Sequence, residues 1–320
     1  KLCRDNSIPI QECGKVVVSR NSEEDGRLDL LYSRGLSNGV ELELREKSEL
    51  SKFEPLAVTH QRFLWSPNTA ISDPRAVTRA MVSKFEGLGG ELNYGQRIKL
   101  QRAQDGVSAK NIRAKYVINA AGAQSDRLAK ELGLAKRYAM VPFMGVYRAV
   151  SSDYLPLKRL VYPVPHPINP FLGVHFTLTL DGKVKIGPTA IPILGREQYS
   201  LFEGWSLSDI GQAITATRAL IKGKSHKFGE ILKSELPKLR ERSLVRESAL
   251  LVPGAMSIRK WQKKPPGIRS QLVDIKTGKL EQDFIVENFE NSTHILNAVS
   301  PGWTSALPFG RWVAEEKVLP

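Results

Sequence analysis

The sequence predicts an α/β chain of the α+β kind in two parts: an incomplete α/β domain, and a domain built on an antiparallel sheet. Three stretches carry this reading. Residues 116–133, YVINAAGAQSDRLAKELG, read as a short buried strand (Tyr116, Val117, Ile118, leaving at Asn119), a turn of small residues (Ala120, Ala121, Gly122) and a helix. That helix begins near Ser125 or Asp126, places Leu128, Ala129 and Leu132 on one face, and stops at Gly133. A helix from Pro74, capped by Asp73, ends at Gly89-Gly90 and is followed by short extended segments, the order of an α/β domain seen in its later half. FLGVHFTLTL, residues 171–180, alternates Val174, Phe176 and Leu178 against His175, Thr177 and Thr179, and Asp181-Gly182 then turns the chain back. An antiparallel strand of that pattern has one core face and one polar face.

The remaining elements follow in order. Ile8-Pro9-Ile10 leads into a β-branched strand at 14–19, and Leu28, Leu31, Tyr32 and Leu36 mark a helix over 22–37 that Asn38-Gly39 stops. A short helix over 48–53 is closed by Pro55. In the helix from Pro74, Val77, Met81, Phe85 and Leu88 form a stripe expected in the core. Brief strands are expected at 91–94 and 97–100, with a turn at Asp105-Gly106. Strands follow at 145–150, 160–162 and 183–187. Asp209 and Gln212 have capping-box spacing for a helix with Ile210, Ala213, Ile214, Thr217 and Ile221 as its stripe. Helical sequence over 227–250 is interrupted at Pro237, and KKPPGIR (263–269) reads as a tight loop into a strand holding Gln271-Leu272-Val273. After a turn at Thr277-Gly278 come strands at 283–287 and 294–298, a turn at Ser300-Pro301-Gly302, and a helix from Thr304 to about Glu316.

Composition narrows the function classes. The 320 residues suffice for two domains, and 41% hydrophobic with 25% charged residues is an ordinary globular balance. The formal charge of +14 comes from 47 Lys and Arg against 33 Asp and Glu, without a dense basic run. Nucleic-acid binding would rest on net charge alone, whereas a dispersed excess suits a solvated surface, acidic substrates or an anionic cofactor. Cys3 and Cys13 make neither a metal-site spacing nor a disulfide framework, which fits a reducing compartment. No apolar run reaches the ~18 residues of a membrane helix, and no targeting segment is visible. The chain begins with Lys1, so its start reads as a processed or truncated end.

Several motifs add a resemblance that spans nearly the whole chain. IPIQECGKVVV, SPNTAISD, VINAAGAQSDRLAKELGL, VYPVPHP, PFLGVHFT, DGKVKIGPTA, PGIRSQL, QDFIVE and HILNAVSPGWTSALPFG stand in the order and spacing of D-amino-acid-oxidase and glycine-oxidase-like flavoproteins. Within that group the chain resembles the L-2-hydroxyglutarate dehydrogenases. PFLGVHFT followed by DGKVKIGP is the specific pair; INAAG is shared more widely. The resemblance implies an incomplete FAD-binding Rossmann-like domain (64–138 and 266–320) and an antiparallel-sheet substrate domain (1–63 and 139–265). It also implies FAD as cofactor, a small dicarboxylate 2-hydroxy acid as substrate, a non-NAD electron acceptor and, in eukaryotes, a mitochondrial location. One departure stands out: the 320 residues contain no G-x-G-x-x-G, the turn whose amides and helix dipole hold the FAD pyrophosphate in this group. Two readings therefore coexist, an FAD-dependent dehydrogenase and a truncated, non-catalytic remnant.

Oxidising a 2-hydroxy acid requires a fixed carboxylate, an acceptor for the hydroxyl proton and a hydride directed at the flavin. By resemblance Arg269 takes the carboxylate through its planar fork. His175 is the candidate base, or alternatively a substrate-binding or merely solvated histidine. Tyr162 either lends its hydroxyl or packs as a half-buried aromatic, and Lys185 reads as an ordinary outward lysine. Ala121 and Gly122 pass close to the flavin, while Ser300, Pro301, Gly302 and Thr304 wrap its ring at a helix start. The same residues would also make a plain capped turn.

Overall fold

The computed structural model describes residues 1–103, 106–109, 112–166, 171–200, 204, 206–223 and 228–318. Helices and sheets are mixed, as expected, and the chain divides into two compact units. One comprises Lys1–Tyr94, Gly145–Ala190 and Lys233–Pro266; the other comprises Gly95–Met144, Ile191–Leu232 and Gly267–Pro320.

In the first unit strands succeed one another across a sheet in the order Glu43–Glu46, Arg62–Ser66, Lys15–Val18, Leu160–Pro163, His175–Thr179, Lys183–Gly187, and then Arg148–Ser151 at the end of strand Tyr138–Ser151. Neighbours are antiparallel except Leu160–Pro163 with Lys15–Val18, which run parallel. The registers Val16↔Val161↔Phe176↔Ile186 and Val150↔Val184 put β-branched and aromatic residues on one face. All six are buried there, with Leu244 and Val245 of helix Glu241–Ala249, Leu251, Val252 and Trp261 packed against them. Each such side chain contributes roughly 1.5–3 kcal/mol through removal from water. Alternation sends Lys15, Val17, Tyr162, His175, Thr177 and Lys185 to the other face. Helix Ser22–Ser37, capped by Asn21, covers part of that face by packing Leu28, Leu31 and Tyr32 on Val17, Leu44, Leu64 and Val164.

In the second unit strands Ile285–Phe289, Ser292–Asn297 and Val117–Asn119 form a three-stranded sheet. The first pair is antiparallel and the second parallel, with Ser292↔Val117 and His294↔Asn119 opposed. Helix Ser125–Glu131 buries Ala129 against Leu296, Leu272, Tyr138 and Met140. A meander of Gln101–Ala103, Gly106–Ala109 and Ile112–Ala114 encloses Val107 with Leu100 and Leu132.

Several expectations change. The stripe of helix Pro74–Gly87 is not core: Val77 alone is buried, whereas Phe85 is 47% and Leu88 80% exposed. Spacing makes an amphipathic face, but only an opposing apolar surface buries one. The extended segments at 91–94 and 97–100 form no strands, and pairing begins at Gln101; Asp105 lies outside the described residues. KKPPGIR is no loop, because strand Gln262–Asp274 runs straight through Pro265 and Pro266. Proline lacks a donor, yet its φ suits extended backbone. Helix Leu207–Lys222 is capped by Ser206, whose hydroxyl accepts from the Asp209 amide, and its buried face is Asp209, Ala213, Ala216 and Leu220. Ile214 and Ile221 of the expected stripe are exposed. Ile118 of the organising strand, expected to be buried, is 50% exposed.

Candidate active site

The polar face of the first unit gathers the titratable groups. His175 is 8% exposed, and its Nδ1–H donates to the Gly173 carbonyl at 2.8 Å. That bond fixes the tautomer and leaves Nε2 with a lone pair. The Tyr162 ring lies 4.1 Å from the imidazole, centroid to centroid, tilted by 32°. The Lys15 ammonium stands 5.4 Å from the centre of the Tyr162 ring, and the Lys185 ammonium 4.6 Å from that of Tyr147. The strand registers produce this grouping: Tyr162 opposes Val17, Thr177 opposes Lys185, and His175 opposes Gly187. Gly187 has φ +131°, and a Cβ there would meet the Val146 carbonyl at 2.5 Å and the Tyr147 ring at 2.9 Å. The backbone can approach Tyr147 this closely only because that position has no side chain.

Burial dominates the electrostatics. It pushes the His175 imidazole down to about 4, against the hydrogen bond to Gly173 and with help from the positive charges of Lys185 and Lys15. His175 is thus neutral at physiological pH, with its Nε2 unprotonated. Burial also lowers the Lys15 and Lys185 ammoniums, Lys264 adding its repulsion at Lys185. Burial raises the phenols of Tyr162 and Tyr147; a hydrogen bond with Thr177 partly offsets the first, and the neighbouring Tyr162 adds to the second. No group of acidic, His or Cys side chains among the described residues could hold a metal ion.

The second unit holds the other predicted residues. Strands Val117–Asn119 and Ser292–Asn297 are adjacent and parallel, so the turns that leave their carboxyl ends, at Ala120–Gly122 and Ala298–Gly302, emerge on the same edge. Asn119 organises that edge. Its Nδ2 donates to the Ser125 carbonyl at 2.7 Å and to Nδ1 of the buried His294 at 3.0 Å, while its Oδ1 accepts from the Ala121 amide at 3.2 Å. His294 Nε2 donates in turn to Ser292 Oγ at 3.0 Å, and burial keeps this imidazole below its usual range. Arg196 is buried against Asp126 at the start of helix Ser125–Glu131 and also donates to the Ala123 carbonyl and Gln212. Burial alone would raise the Asp126 carboxyl, but Arg196 and Lys130 outweigh it and hold it below the usual range. In the second turn the Gly302 amide donates to the Val299 carbonyl, and Thr304 Oγ1 and Ser305 Oγ donate to that of Pro301, before helix Ala306–Val313. Arg269 stands half-buried on strand Gln262–Asp274, and burial lowers its guanidinium.

These turns fit part of a flavin site. Ala120, Ala121 and Gly122 are exposed, Gly122 has φ +52°, and nothing lies within 4 Å of where its Cβ would be. A ring edge can therefore approach the backbone at the carboxyl ends of two parallel strands, where open α/β sheets bind ligands. A glycine-rich phosphate cradle is absent from these 320 residues. The sequence-predicted residues thus fall into two sets, His175 with Tyr162 in the first unit, and Ala121, Gly122, Arg269 and residues 300–304 in the second. Sequence reasoning passed over Lys15, Tyr147, Asn119, His294 and Arg196, and read Lys185 as an outward lysine. Alternation along KVVV and KVKIG puts both lysines opposite the core residues, but long-range pairing is what sets them around Tyr162 and His175.

One unit thus sets small-residue turns beyond the carboxyl ends of parallel strands, and the other gathers His175, Tyr162 and two lysines on one sheet face, an arrangement compatible with a flavin-dependent oxidoreductase. The family model described as FAD dependent oxidoreductase matches residues 1–316, and the chain belongs to this DAO family. L-2-hydroxyglutarate dehydrogenase of Escherichia coli (strain K12) is 32% identical over 325 residues, covering 98% of this chain and 75% of the relative. The mitochondrial L-2-hydroxyglutarate dehydrogenase of Mus musculus is 32% identical over 347 residues, covering 99% and 72%. Among solved structures, reduced L-α-glycerophosphate oxidase from Mycoplasma pneumoniae with FAD bound superposes with a TM-score of 0.69 at 21% identity, covering 95% of this chain and 72% of that one. L-proline dehydrogenase from P. horikoshii gives 0.68 at 13%, covering 98% and 74%. The chain is an FAD-linked enzyme, and its fold is that of these oxidases and dehydrogenases.

Proposed function

We propose that the chain oxidises L-2-hydroxyglutarate to 2-oxoglutarate and that its electrons leave to an acceptor other than NAD. The observation that carries this reading is the neutral His175, with Nε2 available, on a sheet face that also bears Tyr162 and two ammoniums. Such a face suits an anionic hydroxy acid. His175 Nε2 takes the hydroxyl proton, Tyr162 orients the same oxygen through its phenol, and Arg269 grips a carboxylate. Bound FAD supplies the acceptor for the Cα hydride; Ala121, Gly122, Ser300, Pro301, Gly302 and Thr304 would hold it. As the C–H electron pair departs and the O–H proton moves to His175, the alcohol carbon becomes a carbonyl.

The substrate assignment is supported by the names of the relatives. A mitochondrial location is supported by the animal relatives alone, since the Escherichia coli relatives carry no such designation. The test is anaerobic mixing of the FAD-loaded protein with each enantiomer of 2-hydroxyglutarate. Bleaching of the flavin bands by the L form alone is expected. Bleaching by neither enantiomer sinks the proposal.

A further inference from the structure

We propose that Lys15 and Lys185 together form a carboxylate-binding clamp that makes the site selective for dicarboxylates over monocarboxylates. This rests on the function proposed above and deepens it.

The strands bearing Lys15, Tyr162, His175 and Lys185 are four successive neighbours in one sheet. Adjacent strands lie ~4.8 Å apart, so the two lysine strands are roughly 14 Å from one another with the tyrosine and histidine between them. The Lys15 ammonium leans over the Tyr162 ring between the lysine strands, whereas the Lys185 ammonium lies over Tyr147 on the next strand outward. One ammonium stands 5.4 Å from the Tyr162 ring centre and the other 4.6 Å from that of Tyr147, and the charges of both act on the His175 imidazole. The two cations thus flank one patch of the polar face.

Among the described residues no carboxylate lies within 4.0 Å of either ammonium, although many surface lysines and arginines of this chain have one. Their contacts are the faces of aromatic rings, which attract a cation without neutralising it. Lys264 adds a third positive charge near Lys185. Partly desolvated like charges left without a counter-ion are costly to hold together, and such a cluster marks a place where an anion is to be bound.

Two ammoniums with separate aromatic seats present two separate points of positive charge, which matches a dianion with carboxylates at its ends. Thr177, opposite Lys185 in register, adds a hydroxyl between them.

The experiment is calorimetric titration of the full chain with glutarate, an unreactive five-carbon dianion, and with butyrate, beside turnover of L-2-hydroxyglutarate. Wild type is expected to bind glutarate and to ignore butyrate. Lys15→Met and Lys185→Met should each weaken glutarate binding by about 10- to 100-fold, the loss of one charge-assisted contact, while Lys15→Arg and Lys185→Arg retain most of it. Glutarate affinity unchanged in both Met variants overturns the clamp, whatever the turnover. Loss in the Met and Arg variants alike, with folding intact by circular dichroism, also overturns it, since charge would then not be what binds. Charge-dependent glutarate binding without turnover of L-2-hydroxyglutarate upholds the clamp and refutes the substrate assignment instead.

Discussion

The ring centroids of His175 and Tyr162 lie 4.1 Å apart on neighbouring strands, a buried imidazole against a half-buried phenol, with a lysine on either side. The pairing arises because Val161 and Phe176 are opposed in the core, which turns the residues beside them, Tyr162 and His175, to the opposite face. A core contact thereby sets the geometry of the two rings.

His175→Ala should slow flavin reduction by about 10²- to 10⁴-fold, the usual contribution of a positioned base. Its flavin content should stay that of wild type, because the small-residue turns belong to the other unit. Rapid-mixing absorbance of a single turnover measures this, and a reduction rate equal to wild type removes His175 from the chemistry.

The same histidine predicts a dependence of stability on pH. An unfolded histidine takes its proton near 6.5, whereas burial, with Lys185 and Lys15 opposing a further charge, holds the folded one to about 4. Between these values the unfolded chain binds more protons, so this stability is fully present above pH 6.5 and is lost as the pH falls toward 4. The loss is on the order of 3 kcal/mol. Urea unfolding at pH 7 and pH 4.5 should show it in wild type and a smaller decrease in His175→Gln. Equal decreases in the two proteins would assign the effect to other groups.

Arg269→Ala should raise the concentration of substrate needed for half-maximal rate by about 10- to 100-fold while leaving FAD retention intact, as expected for loss of a charge-assisted carboxylate contact. Steady-state kinetics beside the visible spectrum separate the two effects. Unaltered kinetics would return Arg269 to a structural role on its strand.

Arg196→Met should destabilise the second unit. Asp126 is fully buried, and removing Arg196 leaves it Lys130 as its remaining cation, so a cost of about 3–5 kcal/mol follows. Thermal unfolding reads this directly. The double substitution Arg196→Met with Asp126→Leu should recover part of the loss, because it removes the stranded charge as well.

Much of this was legible in the sequence for a local reason. The caps Asp73 and Pro74, the helix stop at Gly133, the hairpin at Asp181-Gly182 and the alternation through FLGVHFTLTL each depend on neighbours within a few residues, and each formed where expected. Motif order likewise marked the flavoprotein family, because motifs are strings of neighbours. What the sequence could not decide was which apolar face meets a partner. Leu88 has the spacing of a core residue and lies in solvent, while Ala216 and Leu220 took the burial expected of Ile214 and Ile221. Nor did it show that Lys15 and Lys185 would stand around His175, since three strand pairings between distant segments create that patch. Periodicity is a property of a few bonded neighbours; burial and charge pairing are properties of surfaces that exist only once remote strands have met.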